Sequence, residues 1–186
     1  MANKLNESTT TPILDWISEN QKSLVRLTQD LVRIPSISGE EYEVQKRVHK
    51  ELEQMALNPE FFNPDEKELR GHKDFFETTS FIKHGYENRP NVGGVLKGAG
   101  GGRSICLSGH VDVVSPEPLD KWTRDPWSGD VISDQIHGRG SGDMKAGVAA
   151  MILAVQAIQE NGIKLKGDVQ VETTIEEEDG GVGGVL

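Results

Sequence analysis

Three short segments of the sequence contain side chains that could hold a metal ion. SGHVDVV provides His110 and Asp112, HGRGSGDMKAG provides Asp143, and TTIEEEDGG provides the three glutamates at 176–178. Imidazole and carboxylate groups without any thiolate are ligands that suit Zn²⁺, Co²⁺ or Mn²⁺ in a hydrolytic site. The chemistry that these residue types indicate is therefore metal-assisted hydrolysis.

The glycine-rich segment HGRGSGDMKAG looks at first like a phosphate-binding loop. A dinucleotide fingerprint counted from Gly138 would need glycine at 143, where the sequence has Asp143. A nucleoside-triphosphate loop needs glycine directly before its lysine, and Met144 precedes Lys145 with no Ser or Thr after it. The segment instead predicts a turn that carries Asp143 to the start of a long helix. An N-cap role for this aspartate is the simpler alternative.

The other two segments follow apolar runs that read as strands. His110 and Asp112 are two residues apart, so an extended chain points both side chains to the same side. The carboxylate can then hold the second nitrogen of the imidazole, as is usual for a metal-bound histidine. A histidine and an aspartate at this spacing are common, and a run of three glutamates is often a solvated edge. Three such segments at one sheet edge favour a metal site.

The remaining pattern predicts the elements that position these residues. Thr11 and Pro12 indicate the start of a helix that runs to Pro35, and Ser38 with Glu41 forms a capping box for a second helix. The clearest helix covers 145–161, and 167–175 alternates as a strand.

Two further strand-like runs flank a glycine-rich hairpin around 97–102, and residues 57–90 suggest a short strand followed by an irregular surface segment. The order of elements predicts an α/β fold, a three-layer sandwich around a mostly parallel, mixed sheet.

Composition narrows the class of protein. The 186 residues carry 30 acidic against 20 basic side chains, a net charge of −10 that argues against nucleic acid or an anionic membrane as partner. No apolar stretch approaches the roughly 18 residues of a membrane helix, and the N-terminus shows no secretory signal. Cys106 is the single cysteine, so no internal disulfide can form. We expect a cytoplasmic enzyme or binding protein.

In this order, SGHVDVV, WTRDPWSG, IHGRGSGDMKAG and EEEDGG resemble the acetylornithine deacetylase and succinyl-diaminopimelate desuccinylase family of two-metal amidohydrolases. The resemblance runs from about Asn88 to the end and implies a zinc-exopeptidase-like fold. It implies that His110 is a ligand of the first metal, oriented by Asp112, and that Asp143 bridges both metals. Glu177 matches the general base and Glu178 a ligand of the second metal. Glu176 receives no role beyond the surface.

The resemblance also implies a function. We expect hydrolysis of an amide bond in an N-acyl amino acid or similar small substrate, with two divalent ions, zinc first and cobalt or manganese as alternatives. Family members are about twice as long, so residues 1–186 are expected to form the N-terminal portion of the metal-dependent catalytic domain. The lid or dimerisation domain and the C-terminal catalytic half would be absent.

The full-length protein could be a homodimer, and we expect 1–186 alone to be inactive. A noncatalytic or weakly metal-binding module is the alternative. A nucleotide-binding protein is disfavoured by the failed fingerprints.

Overall fold

A mixed four-stranded sheet lies at the centre of the structure, a computed structural model that describes residues 7–186. The first six residues, on which part of the secretory-signal expectation falls, lie outside the described residues. The strands of this sheet are β1 (Glu60–Phe62), β2 (Asn91–Leu96), β3 (Ile105–His110) and β6 (Val169–Thr174), in the order β1-β2-β6-β3. A separate hairpin pairs β4 (Asp130–Ile132) with β5 (Gln135–His137).

The directions of the strands correct two expectations. The mixed sheet is confirmed, but β3 and β6 form its single parallel pair among residues 7–186, while β1–β2 and β2–β6 are antiparallel. The sheet is therefore not mostly parallel. β2 and β3 do not form a hairpin either, because β6 lies between them, with Val171 opposite Gly94 on one side and Leu107 on the other. A glycine-rich turn shows that the chain reverses, but not whether a later strand inserts.

Three of the four longest helices share a hydrophobic core with one face of this sheet. The four longest are α1 (Glu7–Glu19), α2 (Gln21–Val32), α3 (Tyr42–Gln54) and α6 (Ala146–Glu160), and the short ones are α4 (Glu66–Arg70), α5 (Thr79–His84) and α7 (Val182–Val185). The core between α2, α3, α6 and the sheet contains fully buried Leu31, Val48, Ile152 and Val171. Burial of this apolar face is what fixes the helices on the sheet.

The opposite face of the sheet carries Cys106, Ser108, Gln170 and Glu172, which are exposed or half-buried. Antiparallel sheets often leave one face in water in this way. The α/β class is confirmed, while the third layer expected from the sequence is not formed by residues 7–186. None of the described helices is long and apolar enough to cross a membrane.

Helix boundaries agree with the sequence in some places and differ in others. α6 matches the predicted helix closely, whereas Pro12 lies inside α1 rather than at its start. The capping box at Ser38 is wrong, because α3 has no side-chain cap and the Ser38 hydroxyl donates to Asp112 Oδ2 at 2.7 Å. Within 57–90 the short strand is confirmed, but α4 and α5 are additional helices that start with Asp65 and Thr78 as caps.

Candidate metal centre

The carboxyl ends of β3 and β6 bring the predicted site residues to one edge of the sheet. These strands are parallel neighbours with His110 opposite Thr174, so the residues that follow them meet. His110 ends β3, and Glu177 and Glu178 lie in a 3-10 turn (Glu177–Asp179) after β6. Asp143 reaches the same edge from the loop before α6. The structure thus brings all three segments singled out in the sequence to one place.

Three side chains form a group with the geometry of a metal site. Ligand atoms of His110, Asp143 and Glu178 all lie within 4.8 Å of one another. His110 Nε2 lies 3.1 Å from Asp143 Oδ1 and 3.5 Å from Glu177 Oε2. The His110 side chain is 5% exposed and that of Asp143 is 79% exposed, so the group is buried on one side and open to solvent on the other.

Asp112 orients the imidazole of His110. The Nδ1 atom lies 3.0 Å from the backbone oxygen of Asp112 and 3.5 Å from its Oδ1, so Nδ1–H donates and Nε2 faces the carboxylates. Burial acts to lower the pKa of His110, but the hydrogen bonds and charge of Asp112, together with Asp143, raise it to about 9. A metal ion bound at Nε2 would displace a proton and take over its ion pairs.

The Asp112 carboxylate also holds the turn that carries Glu177 and Glu178. Its Oδ1 accepts from the backbone N–H of Glu177 and its Oδ2 from that of Glu178, both at 3.1 Å, and Oδ2 accepts from Ser38 as well. Asp112 is fully buried, which acts to raise its pKa, yet hydrogen bonds from His110 and Ser38 lower it. One ionised carboxylate therefore connects both halves of the site.

The donor set fits a divalent cation. The pKa of Glu178 is raised, first by partial burial and then by the negative charge of Asp143. Carboxylates crowded in this way repel one another unless a cation lies between them. Imidazole nitrogens and carboxylate oxygens are both ligand types that bind Zn²⁺ in proteins.

Glycines of the loop before α6 allow the chain to approach the neighbouring elements closely. Gly140 has φ +77°, and a Cβ there would lie 2.3 Å from Val113 Cγ1. Asp143 has non-helical angles (φ −126°, ψ 105°) and lies two residues before the cap position of α6 at Lys145, so it is not the N-cap of that helix. The alternative prediction, that Asp143 is the N-cap of this helix, is therefore wrong. The loop instead presents the Asp143 side chain to His110.

Two residues that hold the site together were not predicted to do so from the sequence. Ser38 was interpreted as a helix cap but binds Asp112. Lys145 is fully buried, and its Nζ donates to the backbone oxygens of Leu31 and Ile34 at 2.9 Å each, which attaches the loop to the end of α2. Burial lowers the pKa of Lys145 to about 7. Nothing in the sequence around Lys145 indicates that its side chain is buried and binds the end of α2.

Glu176 corrects a further expectation, because it is fully buried and not at the surface. Its carboxylate accepts hydrogen bonds from Ser80, Tyr86 and the backbone of Gly183. A run of three glutamates reads as solvated because each is charged. Here the backbone turns at Glu176, so its side chain points into the protein while those of the next two point to the site.

Comparison with known proteins agrees with this geometry. The model of peptidase family M20/M25/M40 matches residues 106–186, which include every candidate site residue. A succinyl-diaminopimelate desuccinylase of Methylobacterium radiotolerans is 32% identical over 163 residues, 87% of this chain and 36% of that protein. An N-formyl-4-amino-5-aminomethyl-2-methylpyrimidine deformylase of Halalkalibacterium halodurans is 28% identical, over 92% of this chain and 36% of that protein. Residues 106–186 thus match peptidase family M20/M25/M40, and the family resemblance seen in the sequence is confirmed.

Solved structures share the fold. Human carnosine dipeptidase 1 superposes with a TM-score of 0.73 at 20% identity, over 92% of this chain and 36% of that one. The dipeptidase Dug1p from Saccharomyces cerevisiae gives a TM-score of 0.65 at 16% identity, over 91% of this chain and 35% of that one. The chain thus spans little more than a third of the length of each of these four relatives and structures.

Proposed function

We propose that these residues form the N-terminal portion of a metal-dependent catalytic domain that hydrolyses an amide bond. The substrate class is an N-acyl amino acid or a similar small peptide-like molecule. The metals are two divalent ions, zinc first and cobalt or manganese as alternatives. A cytoplasmic location and a homodimer of the full-length protein belong to the same proposal.

The convergence of His110, Asp143 and Glu178 within 4.8 Å carries this proposal. The three come from separate segments of the chain, and each is held by other elements. Asp143, the most exposed of them, lies near both His110 and Glu178, which supports our assignment of its carboxylate as the one shared by two ions. The names of the relatives support the reaction class, since they include a desuccinylase and a deformylase.

The residues divide the chemistry between them. A divalent cation bound here would lower the pKa of a bound water and polarise the substrate carbonyl. We assign Glu177, with a side chain 52% exposed and its Oε2 3.5 Å from His110 Nε2, as the base that would take a proton from that water. The same carboxyl group then gives the proton to the nitrogen of the leaving amine. Asp112 fixes the position of the imidazole relative to the turn that carries Glu177 and Glu178.

The test uses the longest protein that the gene encodes and a panel of N-acetyl, N-formyl and N-succinyl amino acids with added Zn²⁺ or Co²⁺. We expect metal-dependent release of the amine. In Glu177→Gln the amide cannot accept a proton, so turnover should fall by about 100-fold or more while metal binding persists. Glu160→Gln at the exposed end of α6 is the control and should keep most activity. Equal turnover in Glu177→Gln and the parent would refute the assignment of the base.

A noncatalytic, weakly metal-binding role is the second candidate for residues 1–186 alone. It is favoured by the ligand count, because one ion would have His110 and the shared Asp143 and the other Asp143 and Glu178. Hydrolytic zinc normally has three protein ligands. Metal-dependent hydrolysis by purified 1–186 that disappears in Glu177→Gln would contradict this candidate.

A further inference from the structure

The carboxylate of Glu176 is the centre of a buried hydrogen-bond network outside the candidate metal centre. Its Oε1 accepts from the hydroxyls of Thr78 and Ser80, the latter at 2.7 Å. Its Oε2 accepts from Tyr86 Oη at 2.9 Å and from the backbone N–H of Gly183 at 2.8 Å. One side chain thus connects the end of β6 with α5, the segment after α5 and the start of α7.

A buried ion pair adds charge to this network. Arg89 donates two hydrogen bonds to Glu41, at 2.9 and 2.8 Å, and its Nη1 lies 3.7 Å from Glu176 Oε1. Arg89 is 3% exposed, and both glutamates are fully buried. Two carboxylates therefore share one guanidinium away from water, an arrangement that apolar side chains would often replace without loss of stability.

The backbone of Glu176 gives a geometric reason. Its φ of 68° and ψ of 13° place it in the left-handed region of backbone angles, which residues other than glycine rarely adopt. Its carbonyl accepts from the N–H groups of Asp179 and Gly181 at 3.2 and 2.7 Å. At this residue the chain leaves β6 and enters the turn that presents Glu177 and Glu178. A strained conformation of this kind persists only where the surroundings determine it.

We infer that Glu176 is a positioning residue for the metal centre. Its carboxylate holds the turn from the inside of the protein, while Asp112 holds the same turn from the side of the site. With both anchors in place, the Glu177 and Glu178 side chains point to His110. This inference rests on the proposed function, because it needs a metal centre to position.

The experiment is a titration of the 186-residue chain with Co²⁺, in which binding is monitored by the visible absorption of the bound ion. In Glu176→Gln we expect the Co²⁺ affinity to fall by about 10–100-fold, the range seen when a partner behind a ligand is removed. The absorption bands should also change, because the ligands around the ion are displaced. Glu172→Gln in β6, the strand before Glu176, is the control and should match the parent. A merely structural glutamate would lower the melting temperature without changing the spectrum of the folded variant.

A second pair of variants keeps the test decisive if Glu176→Gln does not fold. Tyr86→Phe removes one donor to Glu176 with little change in volume, and Tyr42→Phe is its control. We expect a smaller loss of affinity and a smaller spectral change for Tyr86→Phe alone. If the parent binds Co²⁺ and Tyr86→Phe and any folded Glu176→Gln match it in affinity and spectrum, the inference is overturned. If the parent and His110→Ala bind Co²⁺ equally, the proposed metal centre fails first, and the inference with it.

Discussion

The backbone N–H of Glu178 donates to Oδ2 of Asp112 at 3.1 Å and so joins the turn after β6 to the residues after β3. The neighbouring N–H of Glu177 donates to Oδ1 at the same distance. Because Asp112 also holds Nδ1 of His110, the imidazole and the two glutamates cannot move independently. The separation of the candidate metal ligands is therefore set by one buried carboxylate.

Asp112→Asn tests this arrangement. An amide has one acceptor oxygen, so one of the two N–H groups of the turn loses its partner, and an unpaired buried donor costs about 1–3 kcal/mol. We expect the free energy of unfolding to fall by about that amount and the Zn²⁺ affinity by about 10–100-fold. Ser38→Ala removes one donor and leaves the carboxylate, so its effect on affinity should be smaller. An Asp112→Asn protein with the parent's affinity would show that Asp112 does not position the ligands.

The loop that carries Asp143 should tolerate alanine at one glycine and not at another. Gly140→Ala forces a side chain into a positive φ and against Val113, which should destabilise the protein by about 1–3 kcal/mol and weaken metal binding. A Cβ at Gly142 meets nothing within 4 Å, so Gly142→Ala is the matched control, with an expected change within about 0.5 kcal/mol. Urea unfolding measures both. Equal stabilities of the two variants would contradict the account of the loop.

Alkaline pH should weaken the network around Glu176. Burial, followed by the charge and hydrogen bond of Glu176, raises the pKa of Tyr86 well above 10. A raised pKa in the folded state contributes stability that is complete below the unfolded value and is lost as the pH rises above it. The free energy of unfolding of the parent should therefore fall above about pH 10, by at most about 1.4 kcal/mol per pH unit from this group. Tyr86→Phe should show a shallower slope in urea unfolding from pH 8 upward. Parallel slopes would rule out this contribution.

Much of the architecture was predictable because it follows local rules. The apolar periodicity of 145–161 predicts α6, and the runs before His110 and Glu176 predict β3 and β6. Since parallel strands end at the same edge, the convergence of His110 and the glutamates followed from those two strands alone. Asp143 was singled out because the phosphate-binding motifs fail in its loop. A carboxylate in such a loop repels a phosphate but can bind a cation.

The features that were missed depend on contacts between distant segments. Insertion of β6 between β2 and β3 is a pairing choice that neither strand encodes locally. Ser38 has the spacing of a helix cap, yet an ionised partner at 112 competes for its hydroxyl. Glu176 has left-handed backbone angles and a buried side chain, and nothing in a run of three glutamates indicates which one is buried.

The central claim is that His110 is part of a metal site, and a calorimetric titration of the 186-residue chain with Zn²⁺ tests it most directly. The variants His110→Ala and His137→Ala form a matched pair. His110 is a candidate ligand, whereas His137 in β5 is not part of the ligand group. The metal-centre account predicts that His137→Ala binds like the parent and that His110→Ala loses affinity by about 100-fold or more, since even the loss of a supporting partner costs up to that factor. Parent-like Zn²⁺ binding by His110→Ala would contradict it.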